Sequence, residues 1–244
     1  MSLFWRLPME MTDLKILAID TSGKIASVAI TDADKLLWEK TVFTKLTHSQ
    51  VILPMVSKAL EETGLDYPDI DCIAAAKGPG SYTGLRIGVG AVKGICMGAP
   101  HIKAAGVSTL MALAYNVSAY EGKIAAVMRA RPKIIYGAVF ECKGGRITRV
   151  TEDKVCGEEE FFSQDFFTGR IMLVGDCAYE IKAARFADND EVITAPANAV
   201  LQRASSLCMA VNDNTELLCE ADVLEVSYLQ ATKAEKDKAH RDIP

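Results

Sequence analysis

An α/β fold of two similar lobes is predicted by three features of the sequence. Near-continuous apolar runs suited to central strands alternate with short polar turns and longer helical stretches. The order of these elements over residues 14–106 recurs over residues 123–212. Each half also opens with three strand-like runs joined by turns short enough to require antiparallel neighbours.

The first half begins with LKILAID (14–20), followed by a Thr-Ser-Gly-Lys turn into IASVAITD (25–32). Asp32–Lys35 turns the chain into LLWEKTVF (36–43). His48–Thr63 then reads as a helix stopped by Gly64, with Pro54 near its first turn or kinking it. DCIAAA (71–76) is a buried strand, residues 82–98 a glycine-rich helix, and HIKAAG (101–106) the closing strand. The second half repeats the order: strands KIAAVMRA (123–130), IIYGAVFEC (134–142) and RITRV (146–150), then helix 158–164, strand 171–176, helix 178–187, strand 191–196 and a long helix 197–212. Three antiparallel strands followed by α-β units make the ribonuclease-H-like pattern. Two copies make the actin/sugar-kinase (ASKHA) architecture. The chain divides into a leader (1–13), a first lobe (14–106), a second lobe (107–221) and a closing segment with a polar, charge-alternating tail (222–244). The leader has no proper signal-peptide core and reads as a loose extension, or translation begins at Met11.

With 50% hydrophobic residues the chain can build a packed core. A formal net charge of −5 disfavours unaided binding to nucleic acid. No apolar run is long enough to cross a membrane. The seven cysteines (72, 96, 142, 156, 177, 208 and 219) form no C-x-x-C and mostly lie in apolar segments. They read as buried, reduced thiols of a cytoplasmic protein.

The fold hosts several chemistries, so function has to be argued from sites. A two-metal nuclease needs several carboxylates. Asp20 ends the first strand suitably, but the fourth strand ends in Lys77 and the second half offers Met128-Arg129. A phosphotransferase needs a polar turn after the first strand, and Asp20-Thr21-Ser22-Gly23-Lys24 could supply it. The same residues equally make an ordinary hairpin turn. The matching turn of the second half, Arg129-Ala130-Arg131-Pro132, has bases but no acid and no glycine. His48, His101 and His240 show no metal-ligand spacing, and no G-x-S-x-G marks a serine hydrolase.

The 82–98 helix poses the sharpest question. Each interior glycine costs a helix about 1 kcal/mol relative to alanine, yet Gly84, Gly88, Gly90, Gly94 and Gly98 all fall inside it. Gly84 and Gly88 are four apart, as are Gly90, Gly94 and Gly98, so each series makes a smooth stripe. One stripe can face the protein's own sheet. The other, flanked by Ile87, Ala91 and Ile95, can face a partner. Alternatively, both stripes serve internal packing, with Gly-Pro-Gly-Ser as a tight entry turn. A third reading is an anion bound at the helix N-terminus, although the loop lacks the G-x-x-x-x-G-K-S/T spacing.

ILAIDTS (16–22), THSQVILPMV (47–56), KGPGSYTGLRIGVGAVKG (77–94) and AAGVSTLMALA (104–114) together resemble the TsaB (YeaZ) family, in family order and spacing. IIYGAVFE (134–141) and VSYLQ (226–230) are similar to the family's second-half aromatic strand and closing motif. Where the family usually has Asp-Ala-Arg, this chain has Arg129-Ala130-Arg131. The resemblance implies a non-catalytic subunit of the complex that forms N6-threonylcarbamoyladenosine at position 37 of tRNAs reading codons that begin with A. The implied partners are a paralogous TsaD-type ligase, which carries the catalytic histidines, and a TsaE-type ATPase. tRNA is reached only through the complex. The resemblance also implies that helices 48–63 and 82–98 pack against the equivalent ligase helices. Leu53, Val56, Thr83, Gly84, Ile87, Gly88, Ala91 and Ile95 are then the partner-facing residues. The same surface would pair two copies when the chain is alone, and Gly88→Leu or Ala91→Glu would abolish ligase binding without unfolding the monomer. No catalytic residue and no metal is expected. Asp20, Thr21 and Ser22 stand as a vestigial phosphate turn for ATP or ADP. The alternative reading is a phosphotransferase or ATPase that uses the Asp20–Lys24 turn.

Overall fold

A computed structural model describes residues 14–43, 46–163 and 167–230. The first sheet is built from β1 (Lys15–Asp20), β2 (Ile25–Asp32), β3 (Lys35–Phe43), β4 (Cys72–Gly78) and β5 (Lys103–Ser108). Helices α1 (His48–Thr63) and α2 (Tyr82–Gly98) are its crossovers, and α3 (Thr109–Tyr115) leaves it. The second sheet comprises β6 (Gly122–Arg131), β7 (Ile134–Lys143), β8 (Arg146–Arg149), β10 (Ile171–Val174) and β11 (Val192–Thr194), with β9 (Lys154–Gly157) pairing along β7. Helices α4 (Glu158–Phe162) and α5 (Ala178–Arg185) are its connectors. The chain then returns through α6 (Ala204–Asp213) and a two-residue strand, β12 (Leu218–Cys219), which pairs antiparallel with β5 of the first sheet.

The duplication read from element order holds in space. The first sheet runs β12-β5-β4-β1-β2-β3 and the second β11-β10-β6-β7-β8. Each lobe therefore places its own five strands in the order fifth, fourth, first, second, third. In both, the first three strands are antiparallel and the fourth joins the first in parallel. This is an α/β fold of two ASKHA lobes.

Strand alternation sorts the core. Ile16 and Ala18 of β1 face a central core shared with α3, α6 and the second sheet. Leu17 and Ile19 face an outer core closed by α1 and α2. The terminal helices change lobes: α3 packs on β6 and β7 of the second sheet, α6 packs on β1 and β2 of the first, and the two helices touch each other. Each lobe thus carries the other's last helix on its inner face.

Four elements differ from the sequence reading. α3 falls in residues read only as part of a motif, and β9 and β12 are too short to be seen as apolar runs. The long helix expected over 197–212 starts only at Ala204. Residues 199–201 are held out of helical form because Asn116 Nδ2 donates to the carbonyls of Ala199 (2.8 Å) and Leu201 (2.6 Å), and Gly175 N–H donates to that of Val200 (2.8 Å). The leader (1–13), the tail (231–244), His240 and the end of the 158–164 helix lie outside the described residues.

Candidate partner face and phosphate turn

α2 spans Tyr82–Gly98, with the Ser81 hydroxyl accepting from Gly84 N–H at 3.2 Å as its N-terminal cap. Its two glycine series have opposite surroundings. A methyl group on Gly84 would lie 2.0 Å from the carbonyl oxygen of Thr21, and one on Gly88 would lie 2.6 Å from Thr21 Oγ1. Both glycines are buried, and the Thr21 hydroxyl donates to the Gly84 carbonyl at 2.7 Å. A methyl group on Gly90, Gly94 or Gly98 would meet nothing within 4 Å among the described residues.

The partner-facing set therefore needs correction. Gly84 and Gly88 belong to the internal stripe, where they let α2 ride directly on the β1 turn. Val56 is fully buried on the inner side of α1. Leu53, 48% exposed, remains available, as do exposed Thr83 and half-buried Ile87, Ala91 and Ile95. With Gly90, Gly94, Gly98 and the exposed Met97, the α2 members of this set lie on the outward side of that helix, bordered by Arg86 and Lys93, while Leu53 lies on α1. Gly88→Leu would strike the β1 turn rather than a partner, so the expectation that it spares the monomer does not hold.

The Asp20–Lys24 turn points inward. Asp20 Oδ1 accepts from Ser22 N–H (2.9 Å) and Ser22 Oγ (2.6 Å). Its Oδ2 is buried with no partner among the described residues, and burial pushes the carboxyl above its ordinary range despite the Ser22 hydrogen bonds. The Ser22 carbonyl accepts from Ser81 N–H at 2.8 Å. Over Gly23 lies the side chain of Gln202, 2% exposed, and His48 Nε2 sits 3.0 Å from the Gly23 carbonyl. Asp20, Thr21 and Ser22 are buried, Gly23 is half-buried and Lys24 is exposed. The hydroxyls of Thr21 and Ser22, the groups a phosphate would need, are both bonded within the protein. The turn does not fit a nucleotide phosphate in this arrangement.

The corresponding end of the second lobe is closed by charge pairing. Arg129 forms ion pairs with Glu158 at the start of α4 and, at 3.0 Å, with Glu180 of α5, while its backbone N–H donates to Asp176 at 2.7 Å. The guanidinium occupies the end of β6, where Glu158 and Glu180 pair with it, and Asp176 is taken up by the backbone N–H of the same residue.

Two features escaped the sequence reading. Gly78 and Gly175 end the fourth strand of each lobe at φ +129° and +119°. A methyl group would clash with the Ser227 carbonyl oxygen at 2.3 Å in the first case and with that of Val127 at 1.9 Å in the second. Closing-segment Ser227 thereby docks on β4, donating its N–H to the Lys77 carbonyl at 2.7 Å. Nearby, Tyr228 stacks on Tyr82 with ring centres 4.8 Å apart and accepts from Arg86 Nε at 2.8 Å. A glycine between a buried strand and a helix was the available signal for the first feature. The second joins residues 142 positions apart and left no local trace. The cysteines are free, six buried and Cys219 half-buried, and burial pushes the Cys72, Cys177 and Cys208 thiols up. No described helix is long and apolar enough to cross a membrane, and no described group of three acids, histidines or cysteines could hold a metal.

Comparison with known proteins supplies the lineage. A family profile described as TsaD, tRNA N6-adenosine threonylcarbamoyltransferase, matches residues 43–236. The chain is similar to the "tRNA threonylcarbamoyladenosine biosynthesis protein TsaB" of several bacteria. Identity is 37% over 130 residues with that of Escherichia coli, covering 52% of this chain and 55% of the relative. It is 34% over 141 residues for Bacillus subtilis (58% and 61%) and 30% over 171 residues for Haemophilus influenzae (63% and 69%). The chain thus spans less than two thirds of the first two relatives. A solved structure of YeaZ from Pseudomonas aeruginosa superposes with a TM-score of 0.75 at 25% identity, covering 88% of this chain and all of the other. A tRNA N6-adenosine threonylcarbamoyltransferase of Erythrobacter litoralis is 40% identical over 52 residues, 21% of this chain and 15% of the enzyme.

Proposed function

This chain belongs to the TsaB (YeaZ) family, and from that premise we propose that it is a non-catalytic subunit of the complex forming N6-threonylcarbamoyladenosine at position 37 of tRNAs reading A-starting codons. It binds a TsaD-type ligase through α1 and α2 and activates it as a scaffold. The observation that carries this reading is the outward face of α2. A methyl group on any of three glycines there would meet nothing within 4 Å among the described residues, although each glycine weakens the helix by about 1 kcal/mol. A second helix laid along Gly90, Gly94 and Gly98 could approach closely, and the area it buries offsets that loss. Similarity to both TsaB proteins and transferases supports a pair of paralogues, one keeping the chemistry and one keeping the fold.

A TsaE-type ATPase joins the same complex, tRNA is met only through it, and the setting is the cytoplasm. Without the ligase, the same face pairs two copies isologously. The inward-bonded Thr21 and Ser22 hydroxyls count against the phosphotransferase reading. The test is co-purification with the ligase paralogue of the same organism, followed by size-exclusion light scattering, with Ala91→Glu beside the natural chain. A heterodimer lost on substitution, with the circular dichroism of the monomer unchanged, is the expected result. Equal binding by both forms removes α2 as the working face.

A further inference from the structure

The crossing segment between β11 and α6 bonds to both lobes at once. On the second-lobe side, Val200 accepts from Gly175 N–H at 2.8 Å, and Asn116 at the end of α3 holds the carbonyls of Ala199 and Leu201. On the first-lobe side, Arg203 forms an ion pair with Glu39 of β3, whose other oxygen accepts from Ser205 N–H (3.1 Å) and Oγ (2.6 Å). Burial would push the Glu39 carboxyl up, yet the Arg203 and Ser205 hydrogen bonds hold it below its ordinary value. Between these anchors Gln202 turns into the protein. Its amide atoms lie 2.8 Å from where a methyl group on Gly23 would stand, and its Nε2 lies 3.6 Å from Met128 Sδ at the end of β6. The side chain thus bridges the hairpin turn of the first lobe and the corresponding strand end of the second.

We propose that residues 199–203 are a clasp that holds the two lobes in one fixed relation, with Gln202 as the plug that shuts the cleft between their turns. Three observations converge on this: anchors in both lobes, a 2% exposed polar side chain between them, and a glycine at position 23, where a side chain would displace it. The cleft where other two-lobed proteins of this architecture could take a phosphate is filled by the chain itself. The subunit then meets its partners as a rigid body rather than through lobe closure. The proposal is independent of which partner α2 binds, since its test contains no partner.

The experiment is hydrogen exchange on the full chain, comparing Gln202→Gly and Gln202→Met with the natural protein. Gln202→Gly removes the plug, and exchange in residues 20–25 and 126–131 is expected to rise about tenfold while β4 and β5 stay protected. Gln202→Met refills the space and should restore most of the protection. Three outcomes overturn the clasp: unchanged exchange in Gln202→Gly, an equal rise throughout the chain, or a Met variant as fast as the Gly variant. Mg-ADP added to the natural protein should leave the exchange of residues 20–25 unchanged. Added protection there would mean that the cleft admits a nucleotide and is not plugged.

Discussion

The two glycine series of α2 sit on one helix, share one spacing and have opposite neighbours. Gly84 and Gly88 press against the β1 turn so closely that Thr21 takes the place of their side chains. Gly90, Gly94 and Gly98 face open space among the described residues. Glycine in the first series is set by the fold, because the Thr21 carbonyl at Gly84 and the Thr21 hydroxyl at Gly88 stand where a Cβ would be. In the second, no described atom of the chain fills the space that a side chain would take. A repeated small residue is therefore evidence of close approach, but only the surroundings tell whether the approaching surface is internal.

The comparison can be broken most forcefully at Gly84. A methyl group 2.0 Å from a backbone carbonyl cannot be accommodated by a rotamer change. Gly84→Ala is expected to cost about 3 kcal/mol or more, measured by urea unfolding; a cost near zero would show that α2 does not ride on the turn. At Gly88 the obstacle is a hydroxyl, not backbone, so Gly88→Ala should cost roughly 1–3 kcal/mol. Adding Thr21→Ala should recover part of that, and a double-mutant cycle with no coupling would remove Thr21 as the contact.

The turns of the two lobes offer a smaller contrast: one buries an acid hydrogen-bonded to Ser22, the other a cation among acids. Asp20 has its folded pKa raised by burial, so the folded state holds its proton more tightly than the unfolded state. That contribution falls as pH rises from the ordinary value of 3.8 through the folded pKa. Asn retains an oxygen for the two Ser22 donors and carries no charge. Asp20→Asn should raise stability by on the order of 1 kcal/mol at pH 7, with the gain vanishing below pH 3.8. A variant less stable at pH 7 would mean that the ionised carboxylate is wanted there. Glu39 has the opposite sign. Its contribution is present above its unfolded value of 4.5 and is lost as pH falls through the lower folded pKa.

The smallest effect sharpens the contrast from the other side. Gly94→Ala should stabilise the isolated chain by about 0.5–1 kcal/mol, read as a raised midpoint of thermal unfolding. A loss of stability would show that the outer series is also spoken for internally.

The order of the strands, the bounds of α1 and α2 and the lobe repeat were all legible, because each rests on a local signal. Apolar runs such as 25–32 mark strands, short turns mark hairpins, and Gly64 stops α1 at φ +69°. The motif around Gly80–Gly84 also carried the family, since its residue types are tied to one backbone path. The division between the glycine stripes, the burial of Val56 and the inward aim of Thr21 and Ser22 were not legible. Helical spacing says which residues share a face but not what that face meets.

The tertiary structure alone decided the exchange of α3 and α6 between lobes, the early break before Ala204 and the plug of Gln202. Each depends on partners far apart in sequence: Asn116 with Ala199 and Leu201, Gly23 with Gln202, Glu39 with Arg203. The sequence by itself determined the pieces and their repeat, because propensity and hydrophobic period act over a few residues. Which surfaces those pieces turn inward was settled only by packing, where the nearest atom to a side chain comes from a distant part of the chain.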